Sequence, residues 1–192
     1  FPLSWLEDFM VVDKDIQTYV DTLNAIGLEV EGVEVAGKEI TGVITVLIEG
    51  VTKHPDADKL NLVDIDTGTD KRTIVCGAPN VRVGIRVPYA PSGATLPGGF
   101  TLSKKEIRGI VSDGMLCSAR ELNLGESHDG IYELDDDVAP GQSINDVLGL
   151  DDPIIEISIT PNRPDAMSIY GVAKELCAAY GQEFKAPNFD EF

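Results

Sequence analysis

The sequence predicts an α+β protein in which a β-rich middle, residues 39–150, is inserted into a small α+β domain made of residues 1–38 and 151–192. Three observations carry this. Each end of the chain offers one strand-like run and one amphipathic helical run, and neither end is large enough to bury a core alone. The middle is a series of short β-branched runs punctuated by Gly and Pro. A chain of 192 residues with 43% hydrophobic content is long enough for one large or two small packed domains. The simplest economy is that the ends pack together and the middle interrupts them, as insertions do where chain ends lie close.

The first end predicts a helix capped by Asp13, with Ile16, Tyr19, Val20, Leu23 and Ile26 on its apolar face and Gly27 free to take the left-handed C′ position. Leu28 to Val35 then alternates with period two, as a strand does. In the middle, strands are expected over Val43–Val51, Leu60–Thr67, Arg72–Cys76 and Gly84–Ala90, with Thr67-Gly-Thr-Asp70 as a hairpin turn. Shorter strands follow around Thr101, Ile107–Val111 and Ile131–Leu134, and Ser118–Leu124 reads as a short helix. Five or more short strands in about 110 residues indicate a small closed barrel or a sandwich, and the five-stranded OB-fold is the small barrel whose open face holds oligonucleotides. In the last part, Ile154–Ile159 reads as a strand and Thr160-Pro-Asn-Arg-Pro-Asp165 as a rigid turn. Asp165 is then placed to cap a helix with Ile169, Val172, Ala173, Leu176 and Tyr180 on one face, ended by Gly181.

Charge is segregated along the chain. The formal net charge is −18, yet Lys71 to Ser112 holds seven bases (Lys71, Arg72, Arg82, Arg86, Lys104, Lys105, Arg108) against one acid, Glu106. From Glu121 to Asp152 there are ten acids and no Lys or Arg. A basic island on a repulsive molecule makes the local field that a phosphate backbone responds to, and it equally describes a solvated face with no partner.

Several function classes find no support. No run approaches the roughly 20 apolar residues of a membrane span, and Phe1–Asp8 lacks the basic region and cleavage site of a signal peptide. The missing initiator Met and the acidic stretch Asn188–Phe192 read as a piece of a longer protein. Three cysteines (Cys76, Cys117, Cys177) without close pairs argue against a disulfide framework and for a reducing cytoplasm. His54, Cys76, Cys117 and His128 could hold zinc only by converging from distant positions, since none shows paired ligand spacing. Phosphate loops, dinucleotide fingerprints and nucleophile elbows are missing, and the acid pairs Asp56/Asp58, Asp64/Asp66 and Asp135–Asp137 read as solvated. His54-Pro-Asp-Ala-Asp-Lys59 reads as a turn fixed by Pro55 and its aspartates. No residue is expected to be catalytic and none to hold a metal.

Three ordered motifs give a resemblance. Val51-Thr-Lys-His-Pro-Asp-Ala-Asp-Lys-Leu60, Ile74-Val-Cys-Gly-Ala-Pro-Asn80 and Ile107-Arg-Gly-Ile-Val-Ser-Asp-Gly-Met-Leu-Cys-Ser118 resemble the tRNA-binding domain of the endothelial-monocyte-activating-polypeptide type, an OB-fold family. The flanks Leu3-Ser-Trp-Leu-Glu-Asp-Phe9, Thr160–Asp165 and Gly171-Val-Ala-Lys-Glu-Leu176 resemble the N-terminal region of the bacterial phenylalanine–tRNA ligase β-subunit family, so the likeness covers roughly residues 3 to 182. The resemblance implies a cytoplasmic α2β2 aminoacyl-tRNA synthetase serving protein biosynthesis, with the α subunit and phenylalanine-accepting tRNA as partners and no membrane or DNA partner. It implies ATP and magnesium for the complete enzyme, an aminoacylation site in the α subunit and an editing site beyond this stretch. Cofactors are then expected in the complete enzyme and not in this chain.

On that reading tRNA would meet Lys53, Lys59, Lys71, Arg72, Arg82, Arg86, Lys104, Lys105 and Arg108 through its phosphates, with Asn80 and Ser118 adding hydrogen bonds. Tyr89 and Phe100 are the only aromatics in the basic island, which favours shape and backbone recognition over reading of unstacked bases. Residues 39–150 still sum to −7. The alternatives are a purely structural or subunit-contact barrel, a free-standing tRNA-binding protein, and a metal-dependent enzyme built on the two histidines and two cysteines.

Overall fold

The computed structural model describes residues 1–186; the acidic stretch Asn188–Phe192 lies outside them. In chain order the elements are helix α1 (Ile16–Ala25) and strands β1 (Glu29–Glu34), β2 (Ile44–Lys53), β3 (Asn61–Asp66), β4 (Lys71–Cys76) and β5 (Arg86–Pro91). Short strands β6 (Thr95–Leu96), β7 (Phe100–Thr101), β8 (Lys105–Ile107), β9 (Ile110–Ser112) and β10 (Gly114–Leu116) follow. Helix α2 (Ile144–Leu148), strand β11 (Ile154–Ser158) and helix α3 (Ile169–Tyr180) complete the chain. Two compact units result, Phe1–Ala36 together with the chain from Asp152 onward, and Gly37–Asp151.

In the first unit, β1 pairs antiparallel with β11, with a register slip between Val30 and Gly32. Both helices supply apolar stripes to one core, in which Leu6, Met10, Tyr19, Leu23, Ile155, Val172 and Leu176 are buried. Two cap assignments need correction. Asp15 caps α1, accepting the Thr18 N–H at 3.0 Å and its hydroxyl at 2.7 Å, because it stands directly before the first helical residue. Asp13 lies two residues too early and pairs with Lys14 instead. Ser168, not Asp165, caps α3 by accepting the Gly171 N–H. Asp165 is held in a 3₁₀ turn, Pro164–Ala166, where its carboxylate meets Arg163 at 2.9 Å. Gly181 ends α3 at φ 64° as expected.

The second unit is a nearly closed, OB-like antiparallel barrel with strand order β10-β5-β2-β3-β4. Strands β2 to β5 put Val46, Ile48, Val63, Ile65, Ile74, Val87 and Tyr89 inside it. The outer strands are stitched where the Val75 N–H of β4 donates to Ser112 Oγ, just ahead of β10. The expected turn at Thr67–Asp70 joins β3 to β4.

Three other expectations fail. Ile107–Val111 is not one strand. Arg108 and Gly109 sit at φ 50° and 82°, and two consecutive left-handed residues turn the run into a β8–β9 hairpin. Ser118–Leu124 is a chain of turns, since Asn123 reverses to φ 56° before a helix propagates. Ile131–Leu134 makes one bridge, Leu134 to Arg86, because Asn80 takes the Ile131 N–H and carbonyl through its side-chain amide. Helix α2 was not foreseen; it packs Ile144 into a second barrel-side core with Ile40, Val43, Leu96, Cys117 and Leu122.

Gly114 shows how tightly β10 is seated. At φ 121°, a Cβ there would lie 2.3 Å from the Ala90 carbonyl oxygen of β5. Gly114→Ala is expected to cost about 2–4 kcal/mol in urea unfolding; a loss below about 1 kcal/mol would show that the β10 edge yields.

Candidate nucleic-acid interface

The barrel sorts the basic residues into bound and free. Lys71 meets Glu49 at 2.8 Å. Arg72 donates to Asp70 at 2.8 Å and lies 3.6 Å from Asp113, whose carboxylate also takes Lys104 at 3.2 Å. Arg82 grips Glu133 with two parallel bonds of 2.7 Å, and Arg86 donates to the Val138 carbonyl. Glu133 is held below the usual carboxylate range, first by Arg82 and then by Asn80. Asp70 is lowered first by the Thr67 hydroxyl and then by Arg72.

The two polar candidates are also committed. Asn80 bonds Ile131 and Glu133, and Ser118 bonds the Glu121 carboxylate in an arrangement like a capping box. Tyr89 is fully buried and donates to the Asp113 carbonyl, so it offers no stacking surface.

Lys53, Lys59, Lys105 and Arg108 are exposed and make no salt bridge among the described residues. Lys53 ends β2, and Lys59 lies in the loop from β2 to β3. Lys105 and Arg108 lie on the β8–β9 hairpin, part of the excursion between β5 and β10. These two loops correspond to the ones that carry oligonucleotides in OB-folds.

One buried side chain joins them. His54 is 4% exposed, and its Nδ1 accepts the Asp56 N–H at 3.1 Å. That leaves Nε2 as the N–H donor, 3.3 Å from the Ile107 carbonyl at the neck of the hairpin. The turn expected at His54–Lys59 is present, and His54 additionally clasps a loop 53 residues away. Sequence spacing held no signal for that contact. It also held none for Asp113, which gathers Arg72 and Lys104, or for Arg120, which lies just outside the basic island.

Metal chemistry finds no gathered ligand set. Among the described residues no group of three or more His, Cys, Asp or Glu could hold an ion, so His54, Cys76, Cys117 and His128 do not converge. Both His54 nitrogens are engaged, and burial pushes the Cys117 thiol up to about 12. Cys76 and His128 line one cavity of about 310 Å³ with Ser118 and Glu121.

His54→Leu would keep the volume and delete both bonds. Amide exchange across Lys105–Ser112 is expected to accelerate, with about 1–3 kcal/mol lost from global stability. Unchanged exchange in the hairpin would show that the clasp is idle.

Comparison with known proteins bears on this geometry. Residues 43–143 match the family described as "Putative tRNA binding domain". The chain is 45% identical over 188 residues to the phenylalanine–tRNA ligase beta subunit of Desulfotalea psychrophila, covering 97% of this chain and 23% of that protein. It is 45% identical over 187 residues to the same subunit of Francisella tularensis (96% and 24% covered), and 46% identical over 182 residues to that of Paramagnetospirillum magneticum (94% and 23% covered). The chain thus spans about a quarter of the length of the curated relatives it matches. With the family match spanning most of the OB-like barrel and both of its basic loops, the chain belongs to the tRNA-binding domain family.

Proposed function

We propose that this chain is the tRNA-binding and scaffolding N-terminal part of a phenylalanine–tRNA ligase β subunit. The observation that carries the reading is the His54–Ile107 bond, which ties the loop bearing Lys53 and Lys59 to the hairpin bearing Lys105 and Arg108. In this reading residues 39–150 are the tRNA-binding domain and residues 1–38 with 151–192 the discontinuous α+β domain. The complete enzyme, with an α subunit in an α2β2 assembly and with ATP and magnesium, attaches phenylalanine to its tRNA in the cytoplasm. The similarity to ligase β subunits over nearly the whole chain supports this placement. The chain itself performs no chemistry, so phenylalanine-dependent pyrophosphate exchange by it alone is expected at background; a phenylalanine-dependent signal would overturn that.

Recognition is by phosphate contact, with the four free cations dominant. Four such contacts give a slope near −3 in log K against log salt, or roughly fiftyfold weaker binding between 50 and 200 mM. Lys71, Arg72, Arg82 and Lys104 join only by leaving a carboxylate, at about 0–1 kcal/mol each for exposed pairs. A second reading, a subunit-contact barrel with little RNA role, draws on those same pairs and on the −7 charge of residues 39–150.

Titrating labelled tRNA against Lys104→Ala/Lys105→Ala/Arg108→Ala at two salt concentrations separates the readings. The slope should fall by about 1.5, because Lys104 is already paired. Binding equal to the parent's would favour the subunit-contact reading. Arg108→Asn alone should raise stability by about 0.5–1 kcal/mol, by relieving the positive φ, while weakening tRNA binding.

A further inference from the structure

Phe100 is the large aromatic that the barrel leaves uncovered. It is 52% exposed and belongs to none of the three apolar cores. Its backbone is nonetheless fixed. Phe100 pairs with Leu96 across the β6–β7 hairpin, and the turn between them is anchored where the Gly98 N–H donates to Glu39 at 2.9 Å. A half-exposed phenyl ring on an anchored hairpin leaves an aromatic face open to a ligand.

Its surroundings describe one. Phe100 borders a cavity of about 440 Å³ together with Pro97, Arg120, Asn123, Glu121 and Glu126. The volume is within the range that holds small ligands. Lys105 Nζ stands 5.9 Å from the Phe100 ring centroid, on the same hairpin as Arg108. Arg120 makes no salt bridge among the described residues, although Glu121 and Glu126 line the same cavity. Glu121 is taken by Ser118, so Glu126 is the carboxylate left to face a ligand there. Asn123 is fixed in its turn by a bond from its N–H to the Arg120 carbonyl. An aromatic face, a guanidinium plane and an amide beside two free cations match a nucleotide: a flat base with a phosphate next to it. The anion neighbours disfavour a second phosphate inside the cavity. The Glu126 carboxylate, which lines the same cavity, can instead accept from an exocyclic amine on the base edge.

We propose that Phe100, Arg120 and Asn123 form a cradle for one unstacked RNA base, with Lys105 meeting the adjoining phosphate. The inference rests on the RNA-binding reading above and adds a base contact that phosphate attraction alone lacks. Stacking on Phe100 tolerates any base, which suits recognition by shape with a single base swung out.

The test compares four forms of the chain for tRNA binding at two salt concentrations: Phe100→Leu, Phe100→Tyr, Arg120→Met and the Lys104/Lys105/Arg108 triple alanine. Leucine keeps an apolar side chain but removes the flat face, and melting temperatures check that each form is folded. Phe100→Leu is expected to bind about 5- to 30-fold more weakly at both salts, with the salt slope of the parent, and Phe100→Tyr within about twofold of it. Arg120→Met should weaken binding at least threefold by removing the guanidinium plane from the cavity. If the triple alanine weakens binding while Phe100→Leu and Arg120→Met do not, the cradle is overturned and the phosphate reading stands. If none of the forms weakens binding, the RNA reading falls and takes the cradle with it.

Discussion

Strand β2 is the element on which both the barrel and its basic loops depend. Over ten residues it pairs with β5 at one end and with β3 along the rest, and closing that sheet into a barrel requires it to bend. The register slips between Ile48 and Gly50, so Glu49 is the extra residue of a bulge. Gly50 permits the bend, because a Cβ there would stand 2.8 Å from an Asp64 carboxylate oxygen. The electrostatic consequences follow from the same strand. The bulge presents Glu49 to Lys71 of β4, which neutralises one member of the basic island. Beyond the bend the strand delivers Lys53 and then His54, whose clasp on Ile107 fixes the β8–β9 hairpin. Curvature, charge sorting and loop placement are therefore one arrangement.

Charge sorting changes what the island means. Counted along the chain it holds seven bases against one acid, but folding brings Glu49, Asp70, Asp113 and Glu133 to four of them from outside or beside the segment. Exposed pairs of this kind are individually worth little, so they do not hold the barrel together. Their effect is to cancel the field of those cations within the Debye length of about 8 Å at physiological salt, beyond which salt already screens it. Of the island's bases, Lys105 and Arg108 on the β8–β9 hairpin stay clear of any carboxylate among the described residues, and Arg86 meets the Val138 carbonyl. Linear charge density thus overstated the size of the basic surface.

What the sequence disclosed and what it hid divide along physical lines. The β2 to β5 strands were legible as short runs rich in Val, Ile and Thr, which fit a pleated, half-buried surface, and the turn at Thr67–Asp70 because Gly and Asp favour it. The OB-like architecture followed from the number and shortness of those strands. The hairpin at Arg108–Gly109 was hidden because Arg is a poor occupant of a left-handed position, and its apolar neighbours read as one strand. Asp13 and Asp165 misled as caps because the preference for Asp does not say which of several nearby polar residues meets the first free N–H. The ion pairs and the His54 clasp were invisible for a different reason. They join residues tens of positions apart, and no local pattern encodes a contact of that kind.

Arg108 shows most directly what the hairpin is for. An Asn-Gly pair makes the same two-residue turn with less strain, whereas an arginine held at φ 50° costs about 1 kcal/mol or more. Nothing in the fold recovers that cost, since the side chain is exposed and makes no salt bridge among the described residues. The clasp compounds the point. A buried histidine holds the neck of a hairpin whose tip contributes nothing to either barrel core. Strain at an uncovered cation, supported from beneath by a satisfied buried imidazole, is the arrangement expected where position matters more than stability. In the RNA-binding reading proposed above, a fixed guanidinium at the tip of an OB loop would serve a phosphate. On that proposal the turn presents the side chain and the His54 clasp holds the turn in place.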